Sequence, residues 1–116
     1  RKKILFCCDT ASGEVYKKLG REYGPIDIAF VNIGAYEPVE IMKYSHANPA
    51  EALDIGRNLR ARKVVGMHWG TILMSLEDPF EPPTKFIANA KNFGYQEKDA
   101  VLFKVGETKT IKQILS

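Results

Sequence analysis

The chain has no apolar run approaching the roughly 20 residues of a membrane-spanning helix, and no secretory signal with a cleavage site opens it. A cytoplasmic protein, or one peripheral to a membrane, is therefore expected. A strong charge of either sign is also missing. Seventeen basic residues against 14 acidic ones leave +3, and apart from Arg1-Lys2-Lys3 and the Arg57 to Lys63 region the positive charges are scattered, so no nucleic-acid partner is expected. Cysteine is confined to Cys7 and Cys8. Adjacent residues have Cα atoms ~3.8 Å apart, closer than a disulfide prefers, and strand alternation aims the two at opposite faces, so they read as reduced thiols. Gly13, Gly20 and Gly24 fit no nucleotide-binding fingerprint. Neither Ser12 nor Cys8 has a histidine nearby in sequence, which leaves a serine or cysteine nucleophile poorly supported. Nor does a methionine precede Arg1; the strand-like Ile4-Leu5-Phe6-Cys7 follows almost at once, and the chain reads as a piece of a longer one.

What is present suits a packed core. With 116 residues, 45% of them hydrophobic and 27% charged, residues 1–116 form a single domain. Ile4 to Cys8 is a continuous apolar run, expected as a strand buried on both faces and ending at the polar Asp9-Thr10-Ala11-Ser12-Gly13. Val15, Tyr16, Leu19 and Tyr23 recur at helical spacing over Glu14 to Tyr23, with Gly24-Pro25 as the stop. Ile26 to Ile33 is a second buried strand, followed by an irregular stretch through Pro38. Asn48-Pro49-Ala50-Glu51 combines an N-cap, a first-turn proline and a third-position glutamate, which predicts a helix carrying Ala52, Ile55 and Leu59, weakened somewhat by Gly56. Lys63 to His68 predicts a third strand, Pro82-Pro83 a third helix stopped by Gly94, and Ala100 to Val105 a fourth strand before a closing Thr110 to Leu115 segment. Four strands alternating with three helices define an α/β layered domain, whose polar chemistry gathers at the carboxyl ends of the strands.

Asp9 and His68 both fall at such ends. Asp9 follows a buried strand, so its carboxylate is expected to be partly desolvated and in need of a cationic or amide partner. Two readings are open: a turn or helix cap satisfied by the amides of Ala11 or Ser12, or a metal ligand. A phosphate-accepting aspartate would want a second aspartate two residues on, where Ala11 stands. An isolated histidine such as His68 is more often structural than a ligand, and by the same reasoning His46, in the loop before Asn48, is most often a surface residue. The two histidines are too far apart in sequence for a local metal motif, so only the fold could join them. Tyr36, Tyr44 and Trp69 could wall a pocket near them, or simply pack.

Taken in order, Cys8-Asp9-Thr10, Arg21 to Asp27, Ile33-Gly34-Ala35-Tyr36-Glu37-Pro38, Met42 to His46, Asn48 to Ala52, His68-Trp69-Gly70-Thr71 and Glu81-Pro82-Pro83 carry a resemblance over nearly the whole chain. They resemble the C-terminal half of metallo-β-lactamase-fold hydrolases of the N-acylphosphatidylethanolamine phospholipase D-like family. The resemblance implies an α/β architecture that is half of an αββα sandwich, with the upstream half and its His-x-His-x-Asp-His motif as the partner outside these residues. It implies two zinc ions in the complete enzyme, bridged by Asp9 and completed at the second site by His68, with His46 as a catalytic residue contacting the substrate; Tyr36, Tyr44 and Trp69, as aromatic walls of a pocket there, are expected to be substrate-binding. The activity it implies is hydrolysis of a small-molecule or lipid phosphodiester by metal-bound water, with these 116 residues inactive alone. The alternatives are a lactone or other ester as substrate, or a non-catalytic α/β interaction module in which Asp9 only caps a helix. Cys8 and Ala11 stand where that family has glycine, Ser45 stands where the phospholipase has glutamine, and the Cys8 thiolate is a further potential zinc ligand. One sheet face is expected to be left apolar, with Ile28, Phe30 and Val31 or their neighbours contributing, and a homo-oligomer could form there.

Overall fold

A computed structural model describes all 116 residues. Four strands, β1 (Ile4–Phe6), β2 (Ile28–Asn32), β3 (Lys63–Met67) and β4 (Ala100–Leu102), form one sheet in the order β1-β2-β3-β4. All neighbours are parallel, with Leu5 beside Ala29, Ala29 beside Val64 and Val64 beside Ala100. Helices α1 (Val15–Tyr23), α3 (Pro49–Asn58) and α4 (Glu81–Asn89) make the three crossovers, and the four-residue α2 (Val39–Met42) precedes α3. Crossovers of one hand that step always toward the same sheet edge must lay their helices on one face. The packing follows that rule: Tyr16 of α1, Leu53 and Ile55 of α3 and Phe86 of α4 share a buried cluster with Ala29, Val31, Val64 and Ala100. Each fully buried large aliphatic or aromatic side chain there contributes about 1.5–3 kcal/mol.

Local chemistry sets the helix ends. In α3 the Asn48 side chain accepts from the Glu51 amide at 2.8 Å while Glu51 accepts from the Asn48 amide at 3.1 Å, a closed capping box with Pro49 in the first turn. Gly56 weakens the helix in isolation but is required by packing, since a Cβ there would run into Val64. The third predicted helix ends one turn early: α4 gives way at Ala90–Phe93 to a 3-10 turn, closed by Gly94 at φ 83°. The closing segment forms α5 (Ile111–Leu115), capped by a second box between Thr110 and Gln113.

Three expectations about the sheet require correction. β1 is an edge strand of three residues, not a strand buried on both faces through Cys8; Ile4 and Phe6 remain 45% and 60% exposed because no element covers their side of it. Val31 does not belong to an exposed patch, since it points into the helix-covered core, and Ile28 on the opposite face is sealed by Ile114 of α5. The uncovered apolar surface of the sheet is thus Ile4 and Phe6, with the Phe6 ring 5.7 Å from the half-buried Phe30. β4 also stops at Leu102, short of Val105.

Candidate metal centre

The loops after β1, β2 and β3 converge above the carboxyl ends of adjacent parallel strands. Asp9 Oδ1 lies 3.1 Å from His68 Nε2, and the rings of His46 and His68 stack with centroids 5.3 Å apart at 25°. One donor atom from each of Asp9, His46 and His68 falls within 4.8 Å of the others. Three backbone features hold them together. Cys8, immediately before Asp9, and His68 itself both adopt left-handed backbone, at φ 56° and 64°, which turns the chain over the sheet's edge. Ala47, immediately after His46, donates its amide to the Thr10 carbonyl at 2.8 Å. Gly34 lies so close to the His68 carbonyl that a Cβ at that position would collide with it.

The carboxylate of Asp9 is 69% exposed, so the expectation of a partly desolvated charge is wrong: the short edge strand brings it out to the rim. It caps no helix. α1 has no side-chain cap, and the only partner Asp9 meets is His68. Both histidines carry a buried Nδ1 with no hydrogen-bond partner. Buried imidazole nitrogens left open are costly, and a carboxylate oxygen with two imidazole nitrogens is a donor set that suits zinc or a similar divalent cation. The residues present therefore fit a metal, although three donors fill less than one four-coordinate shell and cannot by themselves hold two ions. His46, implied as a substrate contact, stands in the geometry as a third donor.

The remaining sequence candidates are placed differently. Tyr36 is buried and donates its hydroxyl to Glu81 at 2.5 Å, with the Lys85 ammonium over its ring; burial, then acceptance by Glu81 and the surrounding carboxylates, raise its pKa and keep it a neutral phenol. Tyr44 is 77% exposed, with only the Lys43 ammonium at 5.1 Å from its ring centre. Trp69 is partly buried against the core and lines a cleft of about 230 Å³ that His68, Ile72, Leu73 and Pro79 also border. Cys8 is exposed and lies outside the donor cluster, whereas Cys7 is half-buried, and that burial pushes its thiol up to about 11, so it stays protonated near neutrality.

Two side chains that shape the site carry no motif. Glu77 is a buried carboxylate: Oε1 accepts the amides of Ala35 and Tyr36 at 2.6 and 3.2 Å and Oε2 accepts that of Glu37 at 3.1 Å. Burial alone would raise its pKa, but the Ser75 hydroxyl and the backbone amides outweigh it and hold the carboxyl below the ordinary glutamate range. The loop of residues 72–80 is thereby fastened to the loop after β2. The second is Asn32, fully buried at the end of β2. A polar residue closing an otherwise apolar strand was the sequence signal available for it.

A parallel α/β layer brings an aspartate and a histidine at its strand ends together with a second histidine from the loop before α3, a candidate metal site. The family described as "Beta-lactamase superfamily domain" matches residues 1–69, which take in all three donors, and the chain belongs to the metallo-β-lactamase superfamily. Among curated proteins it is similar to N-acyl-phosphatidylethanolamine-hydrolyzing phospholipase D 1 of Caenorhabditis elegans, 41% identical over 83 residues that cover 71% of this chain and 23% of the worm protein. Its similarity to the mitochondrial N-acyl-phosphatidylethanolamine-hydrolyzing phospholipase D of Saccharomyces cerevisiae is 38% over 71 residues, or 61% and 15% of the two chains. With "Outer membrane protein RomA" of Klebsiella pneumoniae it shares 36% over 70 residues, 60% of this chain and 52% of that one. The chain thus spans less than a quarter of the length of the worm and yeast relatives it matches. No helix is long and apolar enough to cross a membrane.

Proposed function

We propose that these residues supply one side of the active centre of a metal-dependent hydrolase that cleaves a phosphodiester, with a lipid phosphodiester as the substrate class. The observation that carries the reading is the convergence of Asp9, His46 and His68 donors within 4.8 Å. The worm and yeast relatives' names, which specify hydrolysis of an N-acyl phospholipid, add the substrate class. When bound, divalent ions such as zinc supply Lewis-acid polarisation of a phosphoryl oxygen and make water acidic enough to attack. The chain's own residues do the rest. Asp9 offers the carboxylate oxygens that draw cations to the rim, and His68 offers a ring nitrogen held by its left-handed backbone. His46 stacks on His68 where it can meet either a cation or the anionic phosphoryl group.

Two surfaces support a lipid substrate and a larger protein. Ile72, Leu73, Met74, Leu76 and Phe80 are exposed along the loop that borders the cleft beside His68, a run of apolar side chains suited to acyl chains or to resting on a bilayer surface. The uncovered Ile4 and Phe6 suit packing against a second sheet of the same polypeptide, which would also bring the further ligands that three donors lack. Elemental analysis of the full-length protein tests the reading. About two zinc ions per chain and phosphodiesterase activity are expected, both lost together in Asp9→Ala, with His68→Ala emptying one site more than the other. His46→Ala separates its two roles: retained metal with lost turnover makes it a substrate contact, and lost metal makes it a ligand. Full metal occupancy in Asp9→Ala would refute the reading.

A further inference from the structure

We propose that Asn32 is the positioning residue of the donor cluster, the side chain that ties the loops carrying Asp9 and His46 to the end of the sheet from which His68 emerges. The proposal rests on Asp9, His46 and His68 being metal donors. Asn32 ends β2, an inner strand of the sheet, and is completely buried. A primary amide in that position is costly unless both of its ends are satisfied. Both ends go to one residue: Nδ2 donates to the Thr10 carbonyl at 3.1 Å and Oδ1 accepts the Thr10 amide at 3.1 Å. Two bonds to the N–H and C=O of a single residue fix its orientation as well as its position, which one bond could not do.

Asp9 and His46 each lie one residue from an atom that this contact controls, and His68 follows the residue that Asn32 pairs with in the sheet. Asp9 immediately precedes Thr10. The Thr10 carbonyl that Asn32 holds also accepts the amide of Ala47, and His46 immediately precedes Ala47. On the other side, Asn32 is the register partner of Met67 in β3, and the amide of the next residue, Ile33, donates to the Met67 carbonyl at 2.9 Å; His68 immediately follows Met67. The three donor loops come from separate crossovers, and no hydrogen bond between their side chains links His46 to the other two. Asn32 is not itself a ligand, because both polar atoms of its amide are committed to Thr10.

The test uses the full-length protein, zinc as the probe, and titration calorimetry at a temperature well below every variant's unfolding midpoint. Asn32→Asp keeps an acceptor for the Thr10 amide but sets a carboxylate oxygen against the Thr10 carbonyl; Asn32→Leu keeps the bulk and removes both bonds. At least tenfold weaker zinc binding is expected in both, with far-ultraviolet circular dichroism unchanged. Tyr95→Phe is the control for mere loss of stability, since it removes a buried hydrogen bond to the Ala61 carbonyl remote from the cluster and is expected to bind zinc as the wild type does. Folded Asn32 variants with wild-type affinity, or a Tyr95→Phe loss equal to theirs, would overturn the proposal while leaving the metal reading intact. A wild type that binds no zinc would overturn both. If neither Asn32 variant folds, a zinc-loaded crystal structure of the wild type decides: both amide bonds to Thr10 kept with Asp9 on the ion supports the role, and Thr10 turned away from Asn32 refutes it.

Discussion

Replacing Glu77 tests whether one buried carboxylate holds the wall of the site. Glu77→Ala strips the acceptor from three consecutive amides. Ala35 and Tyr36 are buried and their amides would stay dry, whereas half-buried Glu37 can recruit water. Two dry, unsatisfied donors at ~1–3 kcal/mol each put the loss at about 2–6 kcal/mol, a large part of the roughly 5–15 kcal/mol that holds a domain folded. Glu77→Gln retains one oxygen but sets a donating amide NH2 against the Glu37 N–H, and should cost less, about 1–3 kcal/mol. Urea unfolding followed by the fluorescence of Trp69, the single tryptophan, measures both. The pH dependence has a definite sign. Because the folded-state pKa of Glu77 is lowered, its contribution is fully present above the ordinary glutamate value of about 4.3 and is lost as pH falls through the lower folded value. Glu77→Gln should therefore flatten the acid limb of the stability curve relative to wild type. A Glu77→Ala protein within ~0.5 kcal/mol of wild type, the range of an inconsequential surface change, would refute the clamp.

Cys8→Gly should leave zinc affinity unchanged if the thiol is no ligand, and should stabilise slightly, because relief of ~1–2 kcal/mol of left-handed strain exceeds the ~0.5–1 kcal/mol entropic cost of glycine. Equilibrium unfolding and calorimetry read the two effects, and weaker zinc binding would make Cys8 a ligand after all. The 116-residue chain on its own should self-associate through Ile4 and Phe6, and Phe6→Lys should shift its light-scattering mass toward that of the monomer; a wild-type chain that is already monomeric would rule out that surface.

The elements were legible wherever a local pattern decides them. The capping box at Asn48, the first-turn prolines and the apolar run of β2 each act within a few residues, and each produced the element expected of it. Asp9 and His68 could be placed at strand ends, but their pairing could not be read from spacing. It arises from the parallel registers of β1 with β2 and of β2 with β3, and the Thr10 to Ala47 hydrogen bond adds His46; each joins residues tens of positions apart. Glu77 was illegible for the same reason: it sits in a loop without periodicity, and its partners are the amides of a distant turn. The burial of β1 was overestimated because an apolar run specifies a strand without specifying what covers its two faces.

Non-glycine residues with left-handed backbone sit at or just beyond the ends of three successive strands: Cys8 after β1, Ala35 after β2 and His68 after β3. In each case the turn carries the chain across the top of the sheet instead of letting it run on along the strand axis. That is what gathers Asp9, the Tyr36 loop and His68 over a common point. Such a conformation costs about 1–2 kcal/mol at a residue with a Cβ, and it persists only where the surroundings over-determine it. The bracing is visible at each position. The chain after Cys8 is held by the paired bonds between Asn32 and Thr10, Ala35 by the amides that Glu77 accepts, and His68 by the close approach of Gly34 to its carbonyl. Strain and bracing are concentrated at the end of the sheet where the donors converge; the one remaining non-glycine residue with left-handed backbone, Arg60, lies after α3 and away from them. A fold needing only to connect strands to helices could have used glycine at all three turns, whereas a site needing its donors within a few ångströms of one another gains from loops that cannot relax.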